Sequence, residues 1–226
     1  TFRVVINEVM YDPDGTGHDA DGEWVELYNA GEQAISVGGW SLADAMGADA
    51  LPAVSVGPHE FVIIAASDSI RQRYPGFAGT LVLVGGRIGN SLGNGSDRLV
   101  LRDRSGVIAD AISWGQDTTA LAPAITAVPS GHSIERRVAG EDTDSASDFV
   151  DNERPTPGRA FEPRVAGARQ ASARKPELAT GTLAAGRNAA FAWLPWAVAG
   201  AAGGALVVAL SWRTIPVVAQ RLRHHA

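Results

Sequence analysis

Short apolar runs separated by clusters of Gly, Pro, Asn and Asp recur along the first 150 or so residues. The run "RVVINEVM" (3–10) is apolar and β-branched. "EWVELYN" (23–29) alternates, with Trp24, Glu26 and Tyr28 on one face and Val25, Leu27 and Asn29 on the other. A period of two is the signature of a strand with one face buried. The same reading predicts strands at 35–43 around Trp40, 60–66, 80–84, 97–103, 107–114 and 132–138, punctuated by "GGW", "GPHE", "GNGSD" and "RSG". "LVLRDRSGVIADAISW" predicts a hairpin across Ser105–Gly106, and one short helix is expected at Asp68–Tyr74, ended by Pro75–Gly76. Short strands with a turn every ten residues or so predict an all-β protein built as a sandwich.

The pattern changes after residue 158. Residues 159–188 are rich in Ala, Arg, Gly and Pro, with Phe161 the only aromatic. Such a stretch buries too little apolar surface to offset its ordering entropy, and it reads as a flexible tether. "AAFAWLPWAVAGAAGGALVVALSW" (189–212) then runs 24 residues without a charge. As a helix it would be roughly 36 Å long, enough to cross a hydrocarbon core of about 30 Å. Trp193 and Trp196 near one end and Trp212 at the other suit the two interfaces. Gly200 and Gly204 form a small-xxx-small pair of the kind that joins two helices into a homodimer, although a segment this rich in Gly and Ala produces the spacing by chance as well. Arg213, Arg221 and Arg223 crowd the 213–226 tail, which makes that side the expected cytoplasmic one. The expected layout is a domain at 1–158, a tether at 159–188, a transmembrane helix at 189–212 and a basic tail. The stretch after Thr1 has no charged n-region followed by an apolar segment, so a signal peptide is expected to have been removed upstream or never to have existed.

Charge sharpens this division. Residues 1–158 hold 23 acids and 10 bases, a balance of −13, whereas 159–226 hold 2 acids and 9 bases, a balance of +7. The acidic part repels phosphate backbones, so no nucleic-acid partner is expected for it. With no cysteine, disulfides, zinc thiolates and a Cys nucleophile are all excluded.

The stretch "DPDGTGHDADGE" (12–23) matches EF-hand spacing at slots 1, 3, 5, 6 and 12. It lies between two predicted strands rather than two helices, however, and its slot 8 is Asp19 rather than an apolar residue. What remains is an acidic inter-strand loop in which Asp12, Asp14, Asp19 and Asp21 are the candidate ligands for Ca2+. "GGRIGNSLGNGS" (85–96) lacks a Walker lysine and a following helix, so it reads as a turn and strand edge. His18, His59 and His132 have no metal-ligand spacing.

"INEVMYDPDG…GEWVELYNAGEQAISVGGWSLAD", followed by "VGPHEFVIIA", "GNSLGNGSDRLVLRDRSGVIADAISWG", "HSIERR" and "PTPG", resembles the lamin tail domain over residues 3–158. The resemblance implies an immunoglobulin-like β-sandwich used for binding rather than chemistry. Similar prokaryotic domains are attached to membranes or sit beside secreted nucleases and other hydrolases. Glu8, Trp24, Glu26, Asn29 and Trp40 fall in the matching stretches, and the expected role of Glu8, Glu26 and Asn29 is to satisfy backbone N–H groups where strands meet.

No G-x-S-x-G elbow, H-E-x-x-H or Ser-His-Asp arrangement is present, so catalysis and cofactors are not expected. The expectation is a membrane-anchored surface module whose partners are the lipid bilayer and an unidentified protein or polysaccharide. The alternative is a module whose acidic loop orders on calcium, and a lesser one is an accessory domain of a hydrolase or nuclease.

Overall fold

The computed structural model describes residues 4–15 and 18–163. These belong to one unit, Thr1–Arg169, distinct from Gln170–Ala226. Most of the tether, the apolar run 189–212 with Gly200 and Gly204, and the basic tail lie outside the described residues. Among the described residues no helix is long and apolar enough to cross a membrane.

The chain is all-β. Twelve strands run in the order β1 (Val4–Met10), β2 (Trp24–Asn29), β3 (Ile35–Ser36), β4 (Ser41–Ala43), β5 (Ala48–Ala50), β6 (Ser55–Val56), β7 (Phe61–Ala65), β8 (Thr80–Leu83), β9 (Asp97–Arg102), β10 (Ile108–Trp114), β11 (Ser133–Arg136) and β12 (Phe149–Asn152), with helix α1 (Ile70–Arg73) between β7 and β8. A six-stranded sheet has the order β12-β11-β1-β2-β7-β8, and a four-stranded sheet has the order β10-β9-β4-β5. Between them lies the main core, to which β1, β2 and β7 contribute Ile6, Leu27 and Val62, and β4, β9 and β10 contribute Leu42, Leu99 and Ile112. Burial of these side chains from both sheets is what joins the layers.

The predicted strand 35–43 is two strands. Gly39 sits at φ 76° and Trp40 N–H donates to the Val37 carbonyl, so the chain turns there and Trp40 enters the core from the turn. The 97–103 and 107–114 strands pair antiparallel across Ser105–Gly106 as predicted. Strand β12, and the short β5 and β6, carry no alternation that a sequence reading detects.

One irregularity decides what faces outward. Between Ile6 and Glu8 the β1–β2 register slips by a bulge at Asn7. Before it, Val4 and Ile6 face the main core; after it, Val9 and Tyr11 do. A bulge changes the parity of a strand. Glu8 and Met10 are thereby turned onto the other face of the large sheet. Met10, Trp24, Ile63, Ala65, Ile70 and Phe77 form a second, smaller core on that outer face.

Candidate functional site

The outer face also carries a row of carboxyls. Glu8 on β1 stands opposite Glu135 on β11 on one side and Glu26 on β2 on the other. All three are 0% exposed. Like charges directly opposed across strands destabilise a sheet, so these groups persist only because hydrogen bonds and protons compensate them.

The bonds come largely from the segment that closes the domain, Pro155–Gly158. Thr156 N–H donates to Glu8 Oε1 at 3.1 Å, and the Thr156 hydroxyl donates to Glu135 at 3.1 Å. Gly158 N–H donates to Glu26 Oε2 at 2.6 Å. Neighbours complete the set: Ser133 Oγ to Glu8 at 2.5 Å, Asn7 Nδ2 to Glu26 at 2.8 Å, and Asn152 Nδ2 to Glu135 at 2.6 Å. Gly158 adopts φ 82°, and a Cβ there would lie 3.2 Å from the Phe77 ring. Only glycine fits this left-handed position against the ring without strain.

Burial raises all three acids, and repulsion from neighbouring carboxyls adds to it for Glu8 and Glu26. Glu8 is raised well above the ordinary carboxylate value by burial, then by Glu135 and Glu26. Burial, with repulsion from Glu135, pushes Glu26 up to about 8 against the bonds from Gly158 and Asn7. Burial pushes Glu135 up to about 7. No arginine, lysine or histidine among the described residues forms an ion pair with any of the three. The cluster therefore holds protons near neutrality.

A contrasting site lies on the main-core side of the same sheet. Arg136 on β11 is 1% exposed and pairs with Asp110 at 2.9 Å, Asp142 at 3.3 Å and Asp148 at 3.3 Å. Its guanidinium also donates to the Ile6 carbonyl and stacks over Phe149. Here one cation serves several acids; on the outer face three acids share none.

The remaining sequence-predicted residues are scaffold contacts. Asn29 Nδ2 donates to the carbonyls of Gln33, Val56 and Gly57, while its Oδ1 accepts from Gly31 N–H, which fixes the turn after β2. Trp24 packs edge-on against Tyr74 in the outer core, and Trp40 lies in the main core.

The four aspartates of the acidic loop diverge. The Asp12 carbonyl accepts from Gly131 N–H, Asp14 meets Arg73 at 3.4 Å, Asp19 Oδ2 accepts from Asn94, and the Asp21 carbonyl accepts from Ser67 and Ser69. Asp19–Gly22 forms a 3-10 turn rather than the entry to a helix. Among the described residues no group of three or more His, Asp or Glu is placed to hold a metal.

Sequence reasoning missed how the glycine-rich loop is held. Asp49 accepts from Gly89 N–H at 2.6 Å, Asp44 from Asn90 N–H at 2.6 Å, Glu23 from Leu92 N–H at 3.2 Å and Asp97 from Gly93 N–H at 2.9 Å. These amides would face a phosphate in a nucleotide loop; here four carboxylates already occupy them. Burial also pushes Glu23 up to about 7. Only Asp97, directly after the glycine run, lies close enough along the chain to have signalled this; Asp44, Asp49 and Glu23 come from distant positions.

The family model of the Lamin Tail Domain matches residues 1–116. The chain belongs to the lamin tail domain family. The matched residues end just after β10, while the large sheet itself runs on through β11, which lies between β12 and β1. Among solved structures, the chain is similar to a DUF4876 family protein from Bacteroides thetaiotaomicron VPI-5482, with a TM-score of 0.48 and 13% identity over 68% of this chain and 72% of that one. No curated protein matches it.

Proposed function

We propose that this lamin tail domain protein is a non-catalytic interaction module, anchored in a lipid bilayer by residues 189–212 and displayed outside the cell with the 213–226 tail inside. One observation carries the non-catalytic part: Glu8, Glu26 and Asn29 are fully buried and bonded to the protein's own backbone and amides. Groups committed in this way are not presented to a substrate. What meets a partner is then the loops and strand ends, which is the usual division of labour in a rigid sandwich. The anchoring part rests on the length and neutrality of the 189–212 run.

Flotation of the full chain with lipid vesicles tests the anchor, with a variant lacking 189–212 beside it. The full chain floats and the deletion stays at the bottom of the gradient. Equal sedimentation of both would overturn the anchor. Full chain reconstituted in nanodiscs then retains an envelope protein or polysaccharide, and turnover of a bound envelope polymer would overturn the non-catalytic reading.

A further inference from the structure

The closing segment Pro155–Gly158 is attached to the outer face mainly through three acids. Thr156 reaches Glu8 and Glu135, Gly158 reaches Glu26, and Gly158 also lies against Phe77. Pro157 is buried, whereas Glu153, Arg154 and Arg159 on either side are exposed. This segment is also the last part of the domain before the residues that the sequence reads as a tether.

We propose that Glu8, Glu26 and Glu135 form a proton-dependent lock on Pro155–Gly158, closed while the three carboxyls share protons and opened when all three ionise. The reason is geometric. Cross-strand neighbours on one face lie about 5 Å apart at Cβ, and three charges at that spacing cannot stay dry without a cation. The groups facing the cluster supply none. β1, β2 and β11 present the three acids with the neutral Asn7 and Ser133, and β12 presents Asn152; Asp151 pairs instead with His132. β7 presents Ile63 and Ala65, and α1 and its C-terminal turn present the Tyr74 phenol. Arg73 is turned away to Asp14. The strap itself offers N–H groups and one hydroxyl. Ionisation therefore requires water, and water reaches the acids when the strap lifts. Lifting it uncovers Phe77, and with it the edge of the outer core around Trp24.

The cluster's raised proton affinity places the transition in the neutral to mildly alkaline range. Glu135→Gln is the informative variant. Its carbonyl still accepts from Asn152 and its amide can donate to the Thr156 hydroxyl, so the strap keeps its partners while one charge is removed. Glu8→Gln has the same logic, with Ser133 as the acceptor.

The test is amide hydrogen exchange of the full chain in detergent micelles from about pH 6 to pH 9, corrected for intrinsic rates. Peptides covering 155–158 are compared with the β9–β10 hairpin as internal reference. In the wild type, strap protection falls at least tenfold relative to the hairpin across that range, as linkage requires when the open state binds fewer protons. In Glu135→Gln the fall is at most half as large on a logarithmic scale. Should that variant not fold, Glu8→Gln gives the same readout. Strap protection that tracks the hairpin at every pH in the wild type, or an unchanged fall in the folded variants, would overturn the lock. The lock does not depend on membrane anchoring, so the flotation result and this one stand separately.

Discussion

Glu8 and Glu135 stand opposite one another on β1 and β11, and both reach Thr156, one through its backbone N–H and the other through its hydroxyl. One residue of the closing segment thus bridges two buried acids. The same chain region is bonded to a third, Glu26, two residues later. Stability, pH response and strap position are consequently properties of one cluster.

The first consequence concerns pH. Glu8, Glu26 and Glu135 keep protons in the folded state that the unfolded chain releases near its ordinary carboxylate values. Folding then binds protons, so stability falls as pH rises, by up to about 1.4 kcal/mol per pH unit for each such group, and for Glu135 and Glu26 until values of about 7 and about 8 are passed. Asp103, Asp117 and Asp148 act in the opposite direction. Against the burial that would raise them, hydrogen bonds from Ser105, Thr119 and Thr143 hold them below the ordinary value, so their contribution is lost only in strong acid. Calorimetry of the full chain should show the melting temperature declining from about pH 5 to pH 9 and dropping again below about pH 4. A flat or rising trend between pH 5 and 9 would contradict this account.

Glu26→Ala leaves the Gly158 N–H and the Asn7 amide without their acceptor. A buried donor left unpaired costs about 1–3 kcal/mol. The urea midpoint should fall accordingly, and an unchanged midpoint would show that the strap contributes nothing to the fold.

Arg136 and Arg73 separate buried from exposed pairing. Burial outweighs the Arg136 ion pair and leaves Asp110 raised, so removing the guanidinium strands Asp110, Asp142 and Asp148 together. Arg136→Ala should cost roughly 3–5 kcal/mol. Arg73→Ala, which breaks a pair with a largely exposed Asp14, should cost under about 1 kcal/mol. Comparable losses would mean that the buried network is not integral to the fold.

Asp44 accepts from Met46, Gly47 and Asn90 N–H groups and so ties the β4–β5 turn to the glycine loop. Asp44→Ala should destabilise by about 2 kcal/mol and speed exchange at 89–93. Asp12→Ala should stay within about 0.5 kcal/mol of the wild type. Because no group of three or more acids converges to hold a metal among the described residues, millimolar calcium should move the melting temperature by less than about 1 °C. A calcium-dependent rise abolished by Asp14→Ala would restore the loop as a cation site.

Much of this architecture is legible in the sequence, because alternation over "EWVELYN" assigns Trp24, Glu26 and Tyr28 to one face and the structure keeps them there. The face occupied by Glu8 is not legible. It depends on the bulge at Asn7, which no periodicity marks and which changes the parity of everything after it. Glu135 was hidden for a different reason: "HSIERR" reads as a strand, but its neighbour across the sheet lies more than a hundred residues away. The carboxylate grip on the glycine loop escaped for the same reason, since Asp44, Asp49 and Glu23 are brought to it only by the packing of separate strands.

Three buried carboxyls share protons beneath Pro155–Gly158 in the folded protein. Carbon-13 NMR of the glutamate carboxyls in the full chain measures this directly. Glu8, Glu26 and Glu135 should titrate above the exposed glutamates, with Glu26 still holding a proton at pH 7. Ionisation of all three near the ordinary glutamate value would contradict it.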